Sequence, residues 1–257
     1  MRRVLAVGTK CSIPRLPETL VRRPRLEKLL ANEERAQVTL VCGAPGAGKT
    51  TLLASWLASA PVGDVAWLTL DRRDNEPRRF AALVTAALER AGTLAGFGSP
   101  PYEGDDLLDA VFEHLARRGR TCVLVIDDLH ELASRSALRT LARLIDQAPR
   151  VLELVLCSRA DPPVPWGRLV LAGRLRQVRN ADLRFSAEEA GELFTRHGVK
   201  LGRDDTRALC DRTEGWAAGL RLAACALSSD ADPRNFVLSA SATQVAVSDY
   251  LLTEVLD

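Results

Sequence analysis

Val38-Thr39-Leu40-Val41-Cys42-Gly43-Ala44-Pro45-Gly46-Ala47-Gly48-Lys49-Thr50-Thr51 is the stretch on which the fold turns. Its first five residues are a short, largely apolar run, rich in β-branching, that ends at glycine and predicts a buried strand. The next eight match G-x-x-x-x-G-K-[ST] in full, and an amphipathic helix follows over 49–58. Each position has a physical purpose. Glycines let the backbone turn so that several N–H groups face inward as an anion nest. The helix opening beyond Gly48 adds the positive end of its dipole. Lys49 supplies a point charge for β- and γ-phosphates. The Thr50 hydroxyl is placed to ligate Mg2+, and that of Thr51 to reach an α-phosphate. The stretch therefore reads as a P-loop, with Gly43, Ala44, Pro45, Gly46, Ala47, Gly48, Lys49, Thr50 and Thr51 as candidate nucleotide contacts.

Outward from this loop, strand-like and helix-like segments alternate. Strands are expected at 65–70, 122–126, 152–157 and, more weakly and as an edge strand, 175–178. Helices are expected at 24–32, 77–91, 107–117 and 136–148, with a Gly/Pro-rich loop at 92–104. This alternation predicts a parallel α/β sheet with helices on both faces. Cys122-Val123-Leu124-Val125-Ile126 is apolar at every position and runs into Asp127-Asp128. Carboxylates at the carboxyl end of a buried strand lie where open α/β sheets bind ligands. This is a Walker B pattern, in which Asp127 would hold Mg2+ and Asp128 would orient or deprotonate an attacking water. Ser158-Arg159 closes another strand. In P-loop ATPases with an extra central strand (the ASCE type) that position senses the γ-phosphate, so Arg159 is a candidate to stabilise charge there; the alternative is a surface arginine in an arginine-rich chain. His130 reads as a packing or capping histidine, and the four tryptophans as core or interface aromatics.

Near residue 182 the pattern changes to helices alone. Ser186-Ala187-Glu188-Glu189 is a capping box that opens a helix ending at Gly198. Helices are also expected at 204–212, 216–228 and 245–256, with a polar break between the last two. The expected organisation is a lead-in over 1–37, a P-loop ATPase domain over 38–182, a small all-α domain over 183–235, and the start of a winged-helix-like module over 236–257.

Composition agrees and excludes much else. The 257 residues are 47% hydrophobic and 26% charged, values of an ordinary globular chain and not of a disordered or fibrous one. The net charge of +2 writes no polyanion-binding surface into the bulk composition. Lys10, Lys28, Lys49 and Lys200 are the only lysines among 35 basic residues, so a lysine in the P-loop is not a default choice. The six cysteines form no C-x-x-C pair and suit buried, reduced thiols. No apolar run approaches the ~20 residues that span a bilayer, and a cytoplasmic location is expected.

The order of motifs resembles the STAND class of P-loop ATPases. Within it, the chain resembles the nucleotide-binding region of the large, ATP-binding, MalT-like regulators of the LuxR type. The resemblance rests on Leu20-Val21-Arg22-Arg23-Pro24-Arg25-Leu26, the P-loop, and Trp67-Leu68-Thr69-Leu70-Asp71 with Asp74-Asn75 and Arg79-Phe80. It continues through Val125-Ile126-Asp127-Asp128-Leu129-His130, Ser158-Arg159, Glu214-Gly215-Trp216-Ala217-Ala218-Gly219-Leu220 and Ser248-Asp249-Tyr250. It implies that Arg23 contacts the adenine end of the nucleotide. It also implies an ATP/ADP switch with Mg2+, in which ADP holds a resting form and an unidentified inducer promotes exchange. ATP then brings self-association, and slow hydrolysis resets the protein. DNA binding would belong to a C-terminal module beyond this sequence. The G-x-P phosphate-reading motif of many STAND proteins is replaced around Trp216, so no phosphate contact is carried over there. The rivals are an AAA-type ATPase of continuous turnover, a small-molecule phosphotransferase and a module that holds ADP without activity.

Overall fold

A computed structural model describes residues 8–31, 36–59, 63–98 and 101–229. The segment expected to begin a further module, with Ser248-Asp249-Tyr250, lies outside the described residues. In chain order the elements are α1 (Pro24–Ala31), β1 (Val38–Cys42), α2 (Lys49–Ser59), β2 (Asp64–Thr69), α3 (Pro77–Arg90), α4 (Gly104–Arg118), β3 (Cys122–Asp127), α5 (Arg135–Gln147), β4 (Leu152–Ser158), α6 (Gly167–Leu171), β5 (Leu175–Val178), α7 (Asn180–Leu183), α8 (Ala187–Arg196), α9 (Arg203–Arg212) and α10 (Ala217–Ser229). Single 3-10 turns stand at Arg72–Asp74 and Leu129–Glu131.

The contacts gather these residues into two compact units, both discontinuous in sequence. Among the described residues, the first comprises those of 8–14, 29–42 and 56–178. It holds a five-stranded parallel sheet of order β2-β3-β4-β1-β5. Strand β4 inserts between β1 and β3, the extra central strand expected from the sequence, and β5 is the edge strand beside β1. Every residue of β1 and β3 is buried, as a sheet covered on both faces requires. The core around it includes Leu40, Phe80, Leu108, Leu124, Ile126 and Leu141. Burying each such side chain is worth roughly 1.5–3 kcal/mol, and together they fix the register of the sheet.

Two helices begin where the sequence alone gave a weaker signal. Helix α4 starts at Gly104, three residues before its first large apolar residue. Asp105 and Asp106 occupy its first turn, where acidic side chains complement the helix dipole. Helix α6 is a five-residue turn whose exposed Val170 and Leu171 break the amphipathic pattern by which helices are read.

The second unit comprises Arg15–Lys28, Gly43–Ser55 and, among the described residues, 179–229. Its core joins Val21 to Phe194, Leu209, Leu220, Ala224 and Leu227 of α8, α9 and α10. The capping box at α8 forms as expected. Ser186 Oγ accepts from Glu189 N at 3.2 Å, and the Glu189 carboxylate accepts from Ser186 N at 3.1 Å.

Candidate functional site

The chain leaves β1 at Cys42 and enters the glycine-rich loop, which belongs to the second unit. Gly46 and Gly48 have φ of 68° and 82°, a backbone that L side chains rarely adopt. Helix α2 opens at once, with Leu52 N donating to Gly48 O at 2.9 Å. Lys49 is buried, and its Nζ donates to the carbonyls of Gly43 at 2.7 Å and Ala44 at 3.0 Å. The ammonium is thus held over the loop that precedes it. Thr50 and Thr51 follow, both half-buried.

The helical segment of the same unit grips this loop by its backbone. Trp216 Nε1 donates to Pro45 O at 2.9 Å, Ala218 N donates to Gly46 O at 3.0 Å, and Asn180 Oδ1 accepts from Ala44 N at 3.0 Å. Neither Trp216 nor Asn180 is identified as a loop contact by the sequence. An indole in an apolar helical stretch reads as packing, and its polar N–H finds a partner 171 positions away.

Beside the loop, within this unit, lies a cavity of about 410 Å³. Gly46, Gly48 and Thr51 line one part of it, and Leu20, Phe185 and Leu222 give it apolar walls. Arg23 lines it too, with its guanidinium largely turned into the protein. That group donates to Leu183 O at 2.8 Å, to Arg184 O, and to Glu189 Oε2 at 3.1 Å, and it stacks 4.2 Å from the centre of the Phe185 ring. Burial pulls the Arg23 pKa down and Glu189 counteracts it. Burial alone would raise Glu189, but the hydrogen bond from Arg25, the charge of Arg23 and the amide of Ser186 outweigh it and hold the carboxyl below its usual range.

In the first unit, the carboxyl edge of the sheet carries the acidic residues. Asp127 ends β3, is buried, and accepts from Asp128 N at 3.0 Å. Asp128 takes φ 54° and ψ 39°, a left-handed backbone that Asp tolerates better than most residues. Ser158 ends β4, opposite Cys42 of β1, and its buried Oγ has no hydrogen-bond partner among the described residues. A buried hydroxyl left so is a costly arrangement that a bound polar group relieves. Arg159, the next residue, is exposed.

These groups fit a nucleotide. A phosphate-loop sequence with its lysine and helix N-terminus supplies anion donors, and a largely apolar cavity of this size suits a planar ring system. The Thr50 hydroxyl and the Asp127 carboxylate are hard oxygen donors of the kind that Mg2+ takes. No cluster of three or more His, Cys, Asp or Glu able to cage a metal occurs among the described residues, and Mg2+ bound with phosphates needs none.

The sheet order, the P-loop and the Walker B strand define the chain as a P-loop NTPase. It belongs to the AAA domain family, which matches residues 32–161. The HTH-type transcriptional regulator MalT of Serratia proteamaculans is 33% identical over 268 residues, which takes in 98% of this chain and 29% of that protein. The serine/threonine-protein kinase PknK of Mycobacterium tuberculosis is 32% identical over 249 residues, 93% of this chain and 22% of the kinase. The chain therefore spans between a fifth and a third of these relatives. Among solved structures, a Signal Transduction ATPase with Numerous Domains carrying a tetratricopeptide repeat sensor, from Pyrococcus horikoshii, shares the fold. Its TM-score is 0.59 at 18% identity, covering 88% of this chain and 32% of that one. A Walker-type ATPase of Pyrococcus abyssi shares it at TM-score 0.54 and 13% identity, covering 95% and 75%. No helix among the described residues is long and apolar enough to cross a membrane.

Proposed function

We propose that this chain is an ATP- and ADP-binding switch of a MalT-like regulator, located in the cytoplasm, in which slow hydrolysis of ATP resets the switch. The observation that carries the reading is the cavity whose wall includes Gly46, Gly48 and Thr51 and whose remaining surface is mostly apolar. A nucleotide would lay its phosphates on the loop, near Lys49, and its base among the apolar side chains. Thr50 and Asp127 would hold Mg2+, which when bound offsets negative charge on the terminal phosphates. Asp128 would take a proton from the attacking water, and Arg159 would meet charge on the γ-phosphate.

A switch requires a nucleotide whose terminal phosphate is felt in only one of two arrangements of the protein. The relation to MalT supports a role in transcription control, with an unidentified inducer and self-association in the ATP form. Contact with DNA would fall to a part of the protein beyond this chain. The match to a kinase over nearly the same length supports a second reading, in which the same switch serves a different effector.

Calorimetric binding of ATP and ADP, with single-turnover hydrolysis, tests the proposal. Lys49→Ala is expected to weaken nucleotide binding by roughly 10- to 100-fold, from the loss of its charged phosphate contact. Asp128→Asn is expected to bind ATP and fail to cleave it. Fast multiple turnover would favour a continuously working ATPase, and tight ADP binding without any cleavage would favour a holding module.

A further inference from the structure

Between Asp127, fixed in β3, and Ser134, fixed at the start of α5, the chain turns through the left-handed Asp128 and the 3-10 turn Leu129–Glu131. One amide side chain pins this path. Asn75 Nδ2 donates to Glu131 O at 2.7 Å and to Arg72 O at 3.0 Å. Its Oδ1 accepts from Ala133 N at 2.7 Å and Ser134 N at 2.8 Å. Both donors and both acceptor sites of the amide are used. The backbone carbonyl of Asn75 accepts from Ser134 Oγ at 2.6 Å, and the same hydroxyl caps α5 by accepting from Ala137 N at 3.1 Å.

Asn75 is itself anchored. It follows the turn Arg72–Asp74, whose Asp74 is fully buried. That carboxylate accepts from Asp71 N at 2.9 Å, from Arg79 Nε at 2.8 Å, and from Lys10. The chain just before the turn is joined to β3, since Leu70 N donates to Asp127 O at 3.1 Å. A rigid turn at the end of β2 thus reaches over to the segment that carries Asp127 and Asp128. No other standard side chain offers two donors and two acceptors at so short a reach; Gln is one methylene longer and Asp lacks the donors.

We propose that Asn75 is a positioning residue for Asp127 and Asp128, setting where the two carboxylates stand by fixing residues 131–134. Its amide is fully engaged by the backbone of residues 72, 131, 133 and 134, so it acts through that segment. The inference rests on the ATPase reading above, because it concerns the same acidic pair.

The test compares the full chain with Asn75→Ala and Asn75→Asp, measuring ATP affinity with and without Mg2+ and the single-turnover rate. Misplacing a catalytic group by about 1 Å costs on the order of 100-fold. Asn75→Ala is therefore expected to lose 30- to 100-fold in rate, while metal-free ATP affinity stays within twofold, which also shows that the variant is folded. Asn75→Asp keeps the acceptor for Ala133 and Ser134 but sets a carboxylate oxygen against the carbonyls of Glu131 and Arg72, and is expected to lose at least as much rate as Asn75→Ala. A rate within threefold of the parent, or a parallel loss of metal-free affinity, overturns the proposal. If the parent binds ATP but never cleaves it, the hydrolysis reading fails and Mg2+ decides this one. A gain in affinity on adding Mg2+ that shrinks severalfold in Asn75→Ala supports positioning of Asp127, and an unchanged gain overturns it. If the parent binds no nucleotide, both proposals fall.

Discussion

The indole N–H of Trp216 donates to the carbonyl of Pro45, inside the phosphate loop, at 2.9 Å. The amide of Ala218 takes the next carbonyl, that of Gly46. The helical segment thus shapes the loop through its backbone oxygens, and the loop's conformation depends on a residue far outside the P-loop motif.

Trp216→Phe keeps an aromatic ring and removes the donor. A hydrogen bond of this kind is worth about 1 kcal/mol net, so ADP affinity is expected to fall about fivefold, measured by calorimetry. Trp216→Ala is expected to lose more, since it also leaves a void beside Gly219, whose hydrogen faces the ring closely enough that an added Cβ would lie 2.8 Å from Trp216 Cε3. Unchanged affinity in Trp216→Phe would show that the bond does not shape the loop.

Gly215 is expected to tolerate nothing larger. Its φ is 65°, and a Cβ there would sit 2.6 Å from Phe185 O and 2.9 Å from Phe185 N. Phe185 N already donates to Gly215 O at 2.8 Å, so the two strands of chain cannot separate without losing that bond. Gly215→Ala is expected to cost roughly 2–4 kcal/mol, from left-handed strain plus the clash. The thermal midpoint should drop by on the order of 10 °C in a circular-dichroism melt.

Glu189 couples the second unit to pH. Its folded pKa lies below the ordinary carboxylate value, through Arg25, Arg23 and Ser186, against the effect of burial. The stability it contributes is therefore complete above the unfolded-state pKa and is lost as pH falls through the folded one. Glu189→Gln is expected to be less stable than the parent at pH 7, because it loses the charge that Arg25 and Arg23 face. The gap should close as pH falls below the ordinary carboxylate pKa, which urea melts across pH would read. A gap that stays constant with pH would falsify the assignment.

The cysteines are expected to react in a fixed order. Cys225 is exposed and lines the cavity, whereas Cys11, Cys42, Cys122, Cys157 and Cys210 are buried. Burial, with the charge of Asp64, pushes the Cys122 thiol up to about 11, so it stays protonated at pH 8. Iodoacetamide at pH 8 should label Cys225 first in the folded protein, and ADP should slow that labelling severalfold, as read by mass spectrometry. Labelling unaffected by saturating ADP would place the nucleotide elsewhere.

Much of this is legible in the sequence because it is local. The run from Val38 to Cys42, the glycines after it and the apolar stretch before Asp127 each announce themselves within a dozen residues. The weak signal at 175–178 matched β5, whose half-buried edge position explains its mixed composition. What stayed hidden depends on distant partners. The indole of Trp216 and the amide of Asn75 have the same appearance in sequence whether they pack, cap or hold a loop. Arg23 shows the same limit from the other side. The sequence resemblance marks it for a nucleotide contact, and the fold surrounds its guanidinium with Leu183, Arg184, Phe185 and Glu189, none of which a spacing rule connects to it.

The left-handed backbone of Asp128 decides how its chemistry can be cleanly silenced. Asp and Asn settle into that conformation with little strain, and alanine pays ~1–2 kcal/mol for it. An asparagine there removes the charge and leaves the turn at rest. An alanine removes the charge and bends the chain that carries it, so an inactive Asp128→Ala protein would report on shape as much as on proton transfer. The residue assigned to the proton is also the residue that steers the chain, and only a substitution that respects the second duty can measure the first.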